Sequence, residues 1–235
     1  VALRRALSAS GREREGRRCS RAALGETDEH QSRAKKEQKA KKAKKRKKRQ
    51  NVQHHRLVTG AINTLVMKIL KSAEEMKAWS NEIHAHSHKL ALVPTMGFLH
   101  AGHLSLVREA QERCTRVVVS IFVNPTQFAP GEDLATYPQD LDGDLKKLEE
   151  LGVDAVFMPT PDIVYPEGFD TFISPDNLGD DLCGASRPIH FKGVCTVVAI
   201  LFRITDCDTA IFGQKDYQQL LIIKQMNKDL HLGVE

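Results

Sequence analysis

The chain has 235 residues, of which 41% are hydrophobic, which is enough for one domain of ordinary size. It has no run of about 18 apolar residues, which excludes a membrane-spanning helix, and its five cysteines form no CxxC pair, which argues against a zinc ribbon or a disulfide scaffold. Residues 1–56 hold 20 Lys and Arg against 6 Asp and Glu, a net charge of +14, whereas the remaining 179 residues hold 15 against 24, a net charge of −9. We therefore expect a basic extension attached to an acidic, cytoplasmic domain.

Residues 1–65 are predicted to be a basic, low-complexity and disordered tail. The segment 33–49 consists almost entirely of Lys, Arg, Ala and Gln, and such a block cannot bury apolar surface. A solvated extension, or sequence translated from outside the true reading frame, is one interpretation. A nuclear-localisation signal or an RNA-binding arm is the other, because clustered lysines bind polyanions. Position 1 is Val, so we expect the chain to lack its native start.

Helix and strand patterns alternate from residue 66 to residue 235. The first helix begins with a capping box, Ser72 to Glu75, and continues with Met76, Trp79 and Ile83 on one apolar face. Strands are predicted at 89–94, 116–123, 153–159 and 208–213, and further helices at 103–114, 140–151, 193–204 and 216–230. The strands are apolar rather than alternating, which indicates an α/β, Rossmann-like fold: a parallel sheet with helices on both faces. Ligands bind such sheets at the carboxyl ends of the strands, so we expect chemistry in the loops after Pro94, Val123 and Phe212.

The loop after the first of these strands reads PTMGFLHAGH, residues 94–103. Gly97 and Gly102 allow the backbone to approach a ligand closely, and the helix that follows offers free amides to a phosphate. His100 and His103 are one helical turn apart, so both imidazoles can face the same phosphate.

The other two loops carry neutral and cationic polar side chains. Lys215, at a strand end before a helix, can place a point charge on a phosphate. Gln127 and Gln219 are neutral groups that both donate and accept hydrogen bonds, suited to holding a hydroxy acid. The alternating histidines at 84, 86 and 88 lie where a helix ends before a strand, and we expect no carboxylate close to them and therefore no metal site.

Three motifs in the same order resemble the pantothenate synthetase family, the pantoate–β-alanine ligases, within the nucleotidyltransferases that carry a HIGH-type motif. PTMGFLHAGHLSL is similar to that family's PTMG-x-LH-x-GH signature, SIFVNPTQF (120–128) to its second strand and loop, and FGQKDYQQL (212–220) to its FGEKDxQQL segment. Weaker similarity runs through DLATYPQDLDGDL, Tyr165-Pro166 and CGASRPIHFKGV. The resemblance covers about residues 72–235.

The resemblance implies ATP-dependent condensation of pantoate with β-alanine through a pantoyl adenylate, with Mg²⁺ as cofactor. It implies that His100, His103 and Lys215 are catalytic, and that Asn124 and Gln127 project their amides into the substrate pocket. The implied ATP-binding residues are Met96, Gly97, His100, Gly102, His103, Gly213, Lys215 and Asp216, and the implied pantoate-binding residues are Asn124, Gln127 and Gln219. It further implies a homodimer, with no membrane partner, and with nucleic acid contacted at most through the tail.

Members of the family continue into a serine-rich, KMSKS-like loop and a smaller C-terminal domain, and we expect this chain, a catalytic domain at 66–235, to lack both. Two alternatives to catalysis therefore stay open. In the first, the chain is an inactive fragment or a non-enzyme that binds ATP or a partner subunit. In the second, the tail makes it a polyanion-binding protein whose enzyme fold is no longer catalytic.

Overall fold

The computed structural model describes residue 39, residues 66–129, residue 134 and residues 136–235. Backbone contacts divide the chain into units 1–51 and 52–235, and the second unit holds the sheet and its helices. Apart from Lys39, which is exposed and helical, the predicted tail lies outside the described residues. The predicted domain boundary at residue 65 lies there too and stays a prediction.

Five parallel strands form one sheet in the order β1-β4-β3-β2-β5. The strands are β1 (Lys68–Leu70), β2 (Leu90–Thr95), β3 (Arg116–Ile121), β4 (Ala155–Phe157) and β5 (Thr209–Ala210). β2 lies between β3, with which it pairs in register over six residues from Leu90↔Arg116 to Thr95↔Ile121, and β5, with which it pairs over two. The three loops expected to carry chemistry therefore leave the same edge of three adjacent strands.

Seven α-helices connect or flank these strands within the described residues. They are α1 (Ala73–Ala85), α2 (Ala101–Arg113), α3 (Leu141–Glu150), α4 (Pro161–Val164), α5 (Cys183–Ser186), α6 (His190–Thr205) and α7 (Tyr217–Asp229). The predicted capping box is present at the start of α1: the Glu75 amide donates to Ser72 Oγ (3.1 Å) and the Ser72 amide to Glu75 Oε2 (3.1 Å). In the described residues no helix is long and apolar enough to cross a lipid bilayer.

The helices cover both faces of the sheet, which confirms the predicted fold class. On one face, Leu92, Val118 and Phe157 pack with residues of α1, α6 and α7, including the fully buried Met76. On the other face, Val93 packs with residues of α2 and α3. Most residues of β2, β3 and β4 are buried from both sides, which explains their continuous apolar sequences.

Three strands differ most from the sequence predictions: β1, β5 and β4, which spans Ala155–Phe157 rather than the predicted 153–159. β1 was not predicted, because it is three residues long and only Leu70 among them is buried. β5 is shorter than the predicted 208–213, because it pairs with β2 at only two positions. The loop that carries Lys215 therefore begins earlier than expected.

Candidate active site

The loop after β2 is held in an unusual turn by a buried carboxylate. Gly97 and Phe98 both have left-handed backbone angles, with φ of 87° and 52°. Asp144, at the start of α3 and 1% exposed, accepts hydrogen bonds from the amides of Phe98 and Leu99, both at 2.7 Å. These charge-assisted bonds offset the cost of the left-handed Phe98 and fix the turn that leads into α2.

His100 and His103 cap the N-terminus of α2 with their rings. His100 Nδ1 accepts a hydrogen bond from the Gly102 amide (3.0 Å), and His103 Nδ1 accepts one from the His100 amide (3.4 Å). Because Nδ1 accepts in both rings, a neutral imidazole at either position carries its proton on Nε2. The two ring centroids are 4.2 Å apart. The pair therefore offers two Nε2–H donors beside the free amides of a helix N-terminus.

The pKa of His103 is lowered from the ordinary histidine value of 6.5. Burial of the half-buried ring is the largest cause, and the neighbouring His100 and Lys215 act in the same direction. His103 is therefore predominantly neutral at pH 7 in the free protein and serves as a hydrogen-bond donor rather than as a fixed cation.

The loop after β3 contains a 3₁₀ turn, Pro125–Gln127, in which Gln127 is buried and against which α6 packs. The backbone carbonyl of Gln127 accepts from Arg187 Nη2 (3.3 Å) and from His190 Nδ1 (3.2 Å). Gly193 of α6 lies so close that an added Cβ would come within 2.5 Å of the Thr126 carbonyl oxygen. The position of Gln127 is thus fixed by backbone contacts as well as by its own side chain.

A cavity of about 630 Å³ joins the three loops at the carboxyl edge of the sheet. This volume lies within the usual range for small-molecule sites. All but one of the sequence-predicted site residues line it, namely Met96, His100, Gly102, His103, Asn124, Gln127, Gly213, Lys215, Asp216 and Gln219. The exception is Gly97, which is buried behind the cavity wall against Ile121 and Asp144.

The cavity has a polar side and an apolar side. The two histidines and the exposed Lys215 form the polar side. The apolar side comes from one face of α6 and consists of Val194, Val197, Val198 and Leu201. This division suits a ligand that is anionic at one end and carries hydrocarbon at the other.

The histidine-rich segment at 84–88 lies close to two carboxylates in the folded structure. Sequence reasoning found no nearby carboxylate, and this was wrong: the His84 ring nitrogens lie 3.5 Å from Asp206 Oδ2 and 3.4 Å from Asp208 Oδ2. The two aspartates lie far along the chain from His84 and precede β5. Across residues 66–129, 134 and 136–235, no group of three or more His, Cys, Asp or Glu side chains is arranged to hold a metal ion.

Sequence reasoning did not assign a role to several residues that shape the site. Asp144, Tyr165, Arg187 and His190 hold the loops in place without belonging to the three motifs. The weaker similarity through DLDGDL, Tyr165-Pro166 and SRPIH was the available signal. It marked the segments, but it did not indicate which side chain contacts which loop.

Comparison with known proteins gives one consistent result. The protein-family model for pantoate-beta-alanine ligase matches residues 68–235. The chain is 50% identical over 168 residues to the pantothenate synthetase of Myxococcus xanthus and 53% identical to that of Heliobacterium modesticaldum, covering 71–72% of this chain and 58–60% of theirs. The chain thus spans about three fifths of the length of these relatives.

Solved structures agree with the sequence relatives. The crystal structure of pantothenate synthetase from Thermus thermophilus superimposes with a TM-score of 0.68 at 45% identity, covering 72% of this chain and 60% of that one. The Francisella tularensis pantoate-beta-alanine ligase, crystallised with beta-gamma ATP and beta-alanine, gives 0.70 at 40% identity, covering 72% and 65%. With the match of the family model and the cavity built from its three motifs, these results establish that the chain belongs to the pantoate–β-alanine ligase family.

Proposed function

We propose that the protein condenses pantoate with β-alanine at the expense of ATP, which is cleaved to AMP and pyrophosphate. In the first step a pantoate carboxylate oxygen attacks the α-phosphorus, and the bond to the pyrophosphate leaving group breaks. In the second step the β-alanine amine attacks the acyl carbon of the pantoyl adenylate and AMP leaves. The observation that carries the proposal is the cavity in which a phosphate-binding side and a hydroxy-acid side meet.

The phosphate-binding side consists of His100, His103 and Lys215. The two Nε2–H groups and the ammonium group are hydrogen-bond donors. Asp216 is the one acidic residue among the described residues that line the cavity with them. Donors that are already oriented stabilise charge as it develops on the phosphoryl oxygens, with little reorganisation during the reaction. The dipole of α2 adds to this field, because the helix begins at Ala101 and its N-terminus lies next to both rings.

The hydroxy-acid side consists of Gln127 and Gln219, which line the same cavity as the valines of α6. Neutral amides bind hydroxyl and carboxylate oxygens without forming an ion pair that would weaken the nucleophile. The valines suit the two methyl groups of pantoate, which would be buried against hydrocarbon. This combination favours pantoate over an acid that lacks branched hydrocarbon.

Mg²⁺ is the second cofactor that we propose. When bound, it neutralises part of the triphosphate charge. Asp216 carries the one carboxylate among the described cavity-lining residues, which fits an ion held mainly by phosphate oxygens and water. Asp216 is the residue that would reach it.

We also propose that the protein is a homodimer, as the family resemblance implies. A cytoplasmic location is consistent with Cys114, Cys183, Cys195 and Cys207, which are free thiols. Burial raises the pKa of Cys195 to about 12, so its thiol stays protonated and does not serve as a nucleophile.

The direct test is AMP formation that requires pantoate, ATP and β-alanine together, measured for the chain alongside calorimetric binding of ATP and pantoate. The proposal expects binding of both ligands in the cavity and AMP release only when all three are present. ATP binding without pantoate binding would favour the non-enzymatic alternative. The relatives are named as synthetases, which favours catalysis.

Replacing Gln127 with alanine should weaken pantoate binding by about tenfold and leave ATP binding nearly unchanged. A hydrogen bond to a charged or strongly polar ligand contributes about 1.5 kcal/mol, and Gln127 lies on the loop after β3, away from the histidines. Titrating each ligand separately by calorimetry measures the effect. Gln225→Ala, on the exposed face of α7, is the matched control. Equal losses for ATP and pantoate would contradict the assignment.

The affinity for ATP should rise as the pH falls from about 7.5 to about 6, with uptake of protons on binding. The pKa of His103 is lowered in the free protein, and phosphate charge next to the ring favours its protonated form. Binding therefore raises that pKa, so the complex holds more protons than its parts, and acid strengthens binding. Calorimetry in two buffers of different ionisation enthalpy measures the uptake. His103→Gln should reduce it and His86→Gln, on an exposed residue, should not. Equal uptake in both variants would exclude His103 as the source.

A further inference from the structure

The side-chain amide of Asn124 has all its polar positions taken by the protein. Asn124 is 1% exposed. Its Oδ1 accepts from the Tyr165 hydroxyl (2.7 Å), from Thr126 Oγ1 (3.0 Å) and from the Thr126 amide (3.3 Å). Its Nδ2 donates to Gln127 Oε1 (3.1 Å) and to the Gly193 carbonyl (3.2 Å). Three donors on one side and two acceptors on the other determine which way the amide faces.

The orientation of Asn124 in turn determines that of Gln127. Because Gln127 Oε1 accepts from Asn124, the Nε2 end of the same amide must point the opposite way. Its contact there is Met96 Sδ at 3.1 Å, a weak acceptor, and both Met96 and Gln127 line the cavity. Gln127 therefore presents N–H donors, and not a carbonyl oxygen, to a ligand.

Tyr165 contacts Asn124 from 41 residues further along the chain. It follows α4, and its ring packs edge-on against Phe169 and at a tilt against Phe122. Burial raises the pKa of Tyr165, so the hydroxyl stays protonated and donates a hydrogen bond to Asn124 Oδ1. The ring contacts hold the hydroxyl at one end of a relay that runs from Tyr165 through Asn124 to Gln127.

We propose that Tyr165 is a positioning residue that acts through Asn124 to hold the Gln127 amide with its N–H donors toward the ligand. This proposal rests on the proposed function. It explains which ligand group binds next to Gln127: an oxygen acceptor, such as a hydroxyl or carboxylate of pantoate, is bound there, and an amine is not. Asn124 serves as the middle of the relay rather than as a contact to the ligand.

The first test is a double-mutant cycle on pantoate affinity at saturating ATP. Tyr165→Phe keeps the ring contacts and removes only the hydroxyl. The loss of one hydrogen bond predicts about threefold to tenfold weaker pantoate binding. In a Gln127→Ala background the same change should have no effect, because the group that Tyr165 orients is gone. Tyr217→Phe, on a 60% exposed tyrosine, is the matched control and should leave the affinity unchanged.

An equal loss in both backgrounds would overturn the relay, because a purely structural role for Tyr165 does not depend on Gln127. A Tyr165→Phe variant with wild-type affinity would overturn it as well. Thermal unfolding of each variant identifies a general loss of stability, which would affect ATP and pantoate binding together.

The second test needs no ligand. The side-chain NH₂ signals of Asn124 and Gln127, in ¹⁵N-labelled protein, should shift and exchange faster with water in Tyr165→Phe and stay in place in Tyr217→Phe. Unchanged signals in Tyr165→Phe would overturn the relay whatever the protein binds. Shifted signals in a protein that binds no pantoate would instead refute the proposed substrate and keep the relay.

Discussion

Replacing His103 with alanine is expected to slow pantoyl-adenylate formation by about 100- to 1,000-fold, equivalent to about 2.7–4 kcal/mol of transition-state stabilisation. The ring lines the cavity, its Nδ1 accepts from the His100 amide, and its Nε2–H is free to donate to a phosphoryl oxygen. It lies in the first turn of α2 and is only half-buried, whereas the fully buried Val107 lies one turn further along the helix, so the core does not depend on His103.

The measurement is pantoate-dependent release of pyrophosphate from ATP, in single turnovers, by protein extended to the length of its relatives. His86→Ala, which replaces an exposed histidine just after α1, is the control and should retain full activity. A His103→Ala rate above about a tenth of wild type would remove His103 from the chemical step. Unfolding midpoints close to wild type are expected, since only one weak cap to the His100 amide is lost.

Replacing Asp144 with alanine is expected to lower the free energy of unfolding by about 3 kcal/mol or more. The change leaves the amides of Phe98 and Leu99 without their acceptor, and each unpaired buried amide costs about 1–3 kcal/mol. The left-handed Phe98 then loses the bonds that hold it. ATP binding should weaken too, because the same turn carries Met96 toward the cavity.

Chemical denaturation of the two proteins side by side measures this loss. Asp142→Ala provides the matched control, since Asp142 is an exposed carboxylate in the first turn of the same helix and its removal costs at most about 1 kcal/mol. Asp144→Asn should fall between the two, because an amide keeps one acceptor oxygen and turns a donor toward the second amide. A stability of Asp144→Ala within about 1 kcal/mol of wild type would refute the role given to the carboxylate.

Much of the fold was predictable because its signals are local. The β-branched run at 116–123 can bury itself only as a strand, and the Ser72–Glu75 capping box satisfies amides that lie three residues apart. The meeting of His100, Gln127 and Lys215 was predictable for a different reason. The carboxyl ends of adjacent parallel strands share one edge, so residues that follow them come together whatever lies between.

The supporting contacts were not predictable, because each joins residues that are far apart in sequence. Asp144 lies 45 residues from Leu99, and Tyr165 lies 41 residues from Asn124. Neither residue stands out by type or spacing. Only the packing of α3 against the β2 loop, and of the segment after α4 against the β3 loop, gives these side chains their partners. The carboxylates near His84 were missed for the same reason.

The three loops of the cavity differ in how firmly the sheet holds them. β2 and β3 are bound to each other over six residues, whereas β5 is joined to β2 over two. Segments fixed by few backbone hydrogen bonds open locally at the smallest free-energy cost. The loops with the histidines and with Gln127 are therefore the most firmly held. The loop with Lys215, whose strand is bonded on its other side to Glu235 alone among the described residues, should open at a smaller free-energy cost. If the protein acts as proposed, exchange of nucleotide and pyrophosphate should occur on that side, and the hydroxy acid should bind against the two more firmly held loops.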